Sequence, residues 1–125
     1  MIKNLMIACM LFIGLSTTAQ DNKKFVATME RNLEALKNAK TADDYNNVAN
    51  IFERIAGAET KEWLPLYYQS FATVMAGMQQ ADNTKKDEYY EKASTAADKA
   101  EAISPDNSEI YALKSMITGM KISVD

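Results

Sequence analysis

KAEAISPDNSEIYALKSM, Lys99 to Met116, is the stretch on which the fold turns. Up to Ile103, Ala93, Ala96, Ala97, Ala100 and Ile103 recur at spacings of three and four, the period of one helix face. Pro105 ends that run, because the residue before a proline is pushed out of the helical region. The same periodicity then resumes at once, with Ile110, Leu113, Ile117 and Met120 on one face. Asp106 followed by Glu109 reads as a capping-box-like start for the second helix. A helix stop and a helix start this close together force the two helices antiparallel and let their apolar stripes meet. Alanines on the first helix allow close backbone approach, where larger side chains would hold the axes apart.

The same rhythm extends backwards. The chain has 125 residues but only two prolines, Pro65 and Pro105. Alternating valine and isoleucine runs are absent, so the composition favours helices over strands. A first helix is expected from about Asn22 to Asn38, with Phe25, Met29, Leu33 and Leu36 on one face. Thr41 is a good N-cap for a second helix, with Asp44 at the positive helix end. That helix carries Tyr45, Val48, Ala49, Phe52, Ile55 and Ala56, and Gly57 is expected to end it in a left-handed conformation.

A third helix should start between Lys61 and Leu64, because Pro65 is tolerated only in a first turn. Its stripe is Trp63, Leu64, Tyr67, Phe71, Val74, Met75 and Met78. Gln79 to Lys86 reads as a loop, and Thr84 with Asp87 as the cap of a fourth helix that runs to about Ser104. The expected fold is all-α: antiparallel helical hairpins stacked as a short array of about five helices.

The first nineteen residues stand apart. MIKN carries one positive charge, LMIACMLFIGL is too short an apolar run for a comfortable permanent span, and Thr17 and Ala19 are small residues two apart. We read residues 1–19 as a signal peptide cut near Ala19, and residues 20–125 as one helical domain that is periplasmic or secreted. The sole cysteine, Cys9, sits in a poor lipid-attachment context and leaves with the leader. The mature chain then has no disulfide and no thiolate chemistry.

Composition narrows the function classes. The 14 basic residues fall to 13 when Lys3 leaves, against 17 acidic ones, a net charge of −4. A mildly acidic chain with no basic run is not a nucleic-acid binder by charge. There is no histidine, so the usual base near neutral pH and the commonest metal ligand are missing. No glycine-rich phosphate loop is present. Asp43 and Asp44 read as a helix-dipole pair rather than an acid–base pair. Asp82 to Asp87 lacks the spacing and the closing glutamate of a calcium loop, and reads as a solvated turn. We therefore expect no catalytic residue, no cofactor and no metal.

The aromatic group Trp63, Tyr67, Tyr68, Tyr89 and Tyr90 has two readings. One is core packing between the third and fourth helices. The other is a contact surface, since adjacent helical residues point about 100° apart and one tyrosine of each pair should lie near the surface. Tyr68, Tyr90 and Tyr111 are the candidate partner-binding residues.

YEKASTAADKAEAISPDNSEIYALK resembles the second half of a tetratricopeptide repeat and the start of the next, through Ala93, Ala97, Ala100, Pro105, Asp106, Asn107 and Tyr111. Trp63 and Leu66 resemble the opening of that repeat's first helix. Tyr67 and Ser70 depart from its pattern, and Trp63 to Pro105 spans 42 positions, more than a 34-residue repeat allows. With EWLP and PDNSEIY, the chain is also similar to small exported bacterial proteins built from such helices. The resemblance implies a non-enzymatic module that binds a protein or peptide partner. The alternative is a small helical carrier whose apolar cavity is lined by Phe71, Met75, Met78 and Tyr89. The last helix is expected to lack a hairpin partner, so its stripe must fold back onto the fourth helix or meet a second copy of the chain. KISVD does not read as the polar cap that ends a repeat array.

Overall fold

The computed structural model describes the backbone of residues 2–124 and the side chains of residues 20–124. It holds five α-helices and, among the described residues, no strand: α1 Ile2–Asn38, α2 Ala42–Ala58, α3 Leu64–Met78, α4 Asn83–Ile103 and α5 Ser108–Ile122. The chain divides into two compact units, Met1–Leu33 and Glu34–Asp125.

In the first unit, α1 begins at Ile2 rather than near Asn22. No proline interrupts Ile2 to Asn22, and Leu, Met and Ala are good helix formers, so nothing local stops the helix earlier. The expected leader, with Cys9, lies outside the residues whose side chains are described. Within α1, Thr28 donates to the Lys24 carbonyl and Asn32 to the Thr28 carbonyl, each at 2.8 Å. No helix among the described residues is long and apolar enough to cross a membrane.

The second unit is a row of antiparallel helices joined by short turns. The pairings prove the direction. Ser70 of α3 bonds to Ala93 of α4, while Gly77, further along α3, meets Tyr89 and Tyr90, earlier in α4. Likewise Lys114 of α5 pairs with Glu101 of α4, and Lys121 with Glu91. Helix α3 is central: it packs on α2 and α4 and touches α5. A helix covered on two sides is buried nearly all round, and Ala72, Val74 and Ala76 are fully enclosed. The core cluster is Val74, Tyr90, Ala93, Ala97, Leu113 and Ile117, with Tyr67, Phe71, Met116 and Met120 packed on it.

The expected stop and start at Ser-Pro-Asp-Asn is present, with a changed cap. Asp106 adopts a left-handed φ of 59°, the single positive φ outside glycine among the described residues. It therefore cannot serve as the extended N-cap. Asn107 does so instead, its Oδ1 accepting from the Glu109 and Ile110 amides at 3.0 and 3.4 Å. The α4 cap moves too. Asp82 rather than Thr84 is extended, and its carboxylate accepts from the Lys85 amide at 2.9 Å, so Thr84 lies inside the helix. The Thr41–Asp44 cap stands, as a full capping box. Gly57 is not a left-handed terminator: α2 runs past it to Ala58 with no glycine at positive φ.

The stripe of α5 is covered within the chain. Ile110, Leu113 and Ile117 are buried, and α5 packs on α4 and α3.

Candidate functional site

The three candidate tyrosines lie in three different settings. Tyr68, on α3, turns toward α2. Its ring stacks on buried Phe52, centroids 5.6 Å apart at 29°. Its neighbour Tyr67 turns the other way, onto the core cluster shared with α5. The two rings still meet edge to face at 5.1 Å and 88°, and Trp63 meets Tyr67 in the same manner at 5.8 Å. Four rings thus form a chain, Trp63–Tyr67–Tyr68–Phe52. Such contacts add to area burial and hold each ring in one orientation. Burial raises the Tyr67 phenol above its ordinary value, and the Glu109 carboxylate adds to the rise.

Tyr90 is a core residue. It is 2% exposed and packs on Val74, Ala93 and Ala97, and its phenol is pushed up by burial. It has no surface from which to contact a partner. The less buried member of that pair is Tyr89, whose hydroxyl accepts from Asn46 Nδ2 of α2 at 2.9 Å. The sequence held the signal: Tyr90, Ala93, Ala97 and Ala100 share one helical face, and the alanines mark that face as the packed one.

Tyr111, near the start of α5, is 44% exposed. Its hydroxyl donates to Asp106 Oδ1 and accepts from the Asp106 amide, both at 3.2 Å. The turn residue with the left-handed backbone thus clasps the exposed ring. No ring contact or hydrogen bond joins Tyr68, Tyr90 and Tyr111 to one another.

The residues proposed to line an apolar cavity lie in different settings. Phe71 packs on the core cluster and Met78 is 45% exposed. Tyr89 lines a small concavity of about 240 Å³ whose other walls are Asn46, Glu88 and Lys92, a polar set.

A second concavity was not visible in the sequence. It lies among α2, α3 and α4, has a volume of about 340 Å³, and is lined by Glu53, Ala56, Gly57, Thr60, Leu66, Gln69 and Lys99. Gln69 is 8% exposed. A glutamine in a helix reads as surface until it is known that neighbours cover the helix on both sides. No group of three or more His, Cys, Asp or Glu side chains placed to hold a metal occurs among the described residues.

No family model, curated protein or solved structure matches this chain.

Proposed function

We propose that the chain is an exported, non-enzymatic interaction module, a tetratricopeptide-like helical scaffold that binds a protein partner in the periplasm or outside the cell after residues 1–19 are removed. The observation that supports this reading best is the Tyr68 ring. It is half-buried, yet keeps some surface, and is held between Phe52 and Tyr67. A rigid aromatic with a polar tip loses little conformational freedom on binding and is the type of residue that anchors interfaces. Tyr111, tied by Asp106, is the second contact. The repeat-like part of the reading rests on the sequence resemblance carried by Ala93, Ala97, Ala100 and Pro105. The lack of histidine, and of cysteine after Cys9, leaves no nucleophile–base pair of the usual kind.

The test is recovery of envelope proteins on the purified chain, compared with Tyr68→Ala and Tyr111→Ala. The reading expects partner recovery to fall in both variants while the helical spectrum is unchanged. Equal recovery with intact helicity removes the assignment. Sequencing the amino terminus of the exported protein checks cleavage, and a start at Met1 rules out the leader.

A further inference from the structure

Three buried polar side chains fall within one stretch of α3: Gln69, Ser70 and Thr73. Two are satisfied inside the protein. The Ser70 hydroxyl donates to the Ala93 carbonyl and the Thr73 hydroxyl to the Gln69 carbonyl, each at 2.7 Å. The side-chain amide of Gln69 makes no hydrogen bond to any described residue.

The amide is not sealed in. Among the described residues, no fully enclosed side-chain nitrogen or oxygen lacks a partner. The Gln69 polar atoms therefore reach open space, and the space Gln69 lines is the 340 Å³ concavity among α2, α3 and α4. Its walls are built to admit something. Gly57 and Ala56 on α2 are small, and a Cβ added at Gly57 would meet nothing within 4 Å. Leu66 supplies an apolar wall, Thr60 a hydroxyl, and Glu53 and Lys99 charges of opposite sign.

The chemistry selects the occupant. A carboxamide offers donors and an acceptor side by side, the complement of a peptide unit's carbonyl and amide hydrogen. Charges of both signs suit a peptide with mixed side chains, and they disfavour a polyanion. The charged side chains of Glu53 and Lys99 disfavour a lipid tail. We propose that this concavity docks an extended peptide segment of the partner protein, with Gln69 pairing to one main-chain peptide unit. The proposal rests on the interaction-module reading and names a site that the tyrosines do not supply.

The experiment is an NMR titration of the purified protein with the capped tetrapeptide acetyl-Lys-Ala-Ala-Glu-amide and with its analogue in which main-chain amides are esters. We expect saturable shifts at the Gln69 side-chain amide and the Gly57 backbone amide, with binding about five- to tenfold weaker for the ester analogue. Gln69→Leu should abolish the shift at the Gly57 backbone amide, and Gly57→Leu the shift at the Gln69 side-chain amide. The second variant projects into open space and spares the core, so a folding failure of the first would not hide the answer. Absence of saturable shifts at these two positions, equal binding of the ester analogue, or unchanged binding in both variants overturns the proposal. If partner recovery falls in Tyr68→Ala but survives Gln69→Leu, this site is refuted while the interaction-module reading stands.

Discussion

Gly77 of α3 lies so close to Tyr90 of α4 that a Cβ added to the glycine would fall 2.9 Å from the tyrosine's Cε1 and 2.8 Å from the Cβ of Tyr89. The second distance is the harder limit, because a Cβ cannot swing away as a side-chain tip can. Gly77 is in a helix with no positive φ, so it is there for closeness and not for backbone freedom. Replacement by alanine gains about 1 kcal/mol of helix propensity. It also forces α3 and α4 apart, which typically costs about 1–3 kcal/mol. Gly77→Ala should therefore lower stability in urea unfolding. Gly119→Ala, where the new Cβ meets nothing within 4 Å, should leave stability level or raise it by up to ~1 kcal/mol. Equal behaviour of the two variants would refute the close-approach argument.

The alanine seam of α4 gives the second prediction. Ala97 is fully enclosed in the core cluster with Tyr90, Leu113 and Ile117. Ala97→Leu should overpack the seam, at a cost of about 1–3 kcal/mol, and broaden the unfolding transition if α5 loosens. Ser70→Ala, which removes the hydroxyl bonded to the Ala93 carbonyl, should cost roughly 1 kcal/mol without that broadening.

At acid pH, the α2 cap is the sensitive element. Backbone hydrogen bonds from Lys40 and Thr41 hold the Asp44 carboxyl below its ordinary value. Its folded pKa is lower than its unfolded one, so the unfolded chain binds the proton more readily. The contribution is present above the unfolded carboxylate's pKa, about 3.9, and is lost as pH falls through the lower folded value. Asp44→Asn should abolish that part of the acid dependence and fray the start of α2. An unchanged acid limb in thermal melts would contradict this role.

At alkaline pH the sign reverses. Burial raises the phenols of Tyr67 and Tyr90, and hydrogen bonds to Glu101 and then Asp98 raise the Lys114 ammonium. In each case the folded chain holds its proton longer than the unfolded one. These contributions are complete below the unfolded values, about 10, and fade as pH rises through the folded ones. Tyr90→Phe, with no partner for its hydroxyl to lose among the described residues, should push the alkaline unfolding limb to higher pH. A limb that does not move would show that Tyr90 ionisation is not coupled to unfolding.

Much of this fold is legible in the sequence, because its stops and stripes are chemically blunt. Pro65 admits only a first turn, Pro105 admits only a stop, and Ala93, Ala97 and Ala100 can mark only a close seam. The caps were less legible. Asp82-Asn83-Thr84 and Asp106-Asn107-Ser108 each offer three consecutive residues able to cap a helix. Sequence cannot rank them, whereas the turn can. After Pro105 the chain puts Asp106 at a φ of 59°, and only Asn107 is left extended. The tyrosines divide in the same way. Adjacent rings must diverge, as Tyr67 and Tyr68 do, but which of Tyr89 and Tyr90 faces inward depends on the alanine face. Gln69 was not legible at all, because its burial arises from α2 and α4 together and leaves no periodic trace.

The central claim is that this helical row contacts another protein through its fixed aromatic surface. The most direct measurement is photo-cross-linking in living cells, with a photoreactive phenylalanine analogue in place of Tyr68 and, as a control, of the exposed Ala102 on α4. The account predicts a discrete adduct of defined mass from position 68 and none from position 102. No adduct at position 68, or the same adduct pattern from both positions, would contradict it.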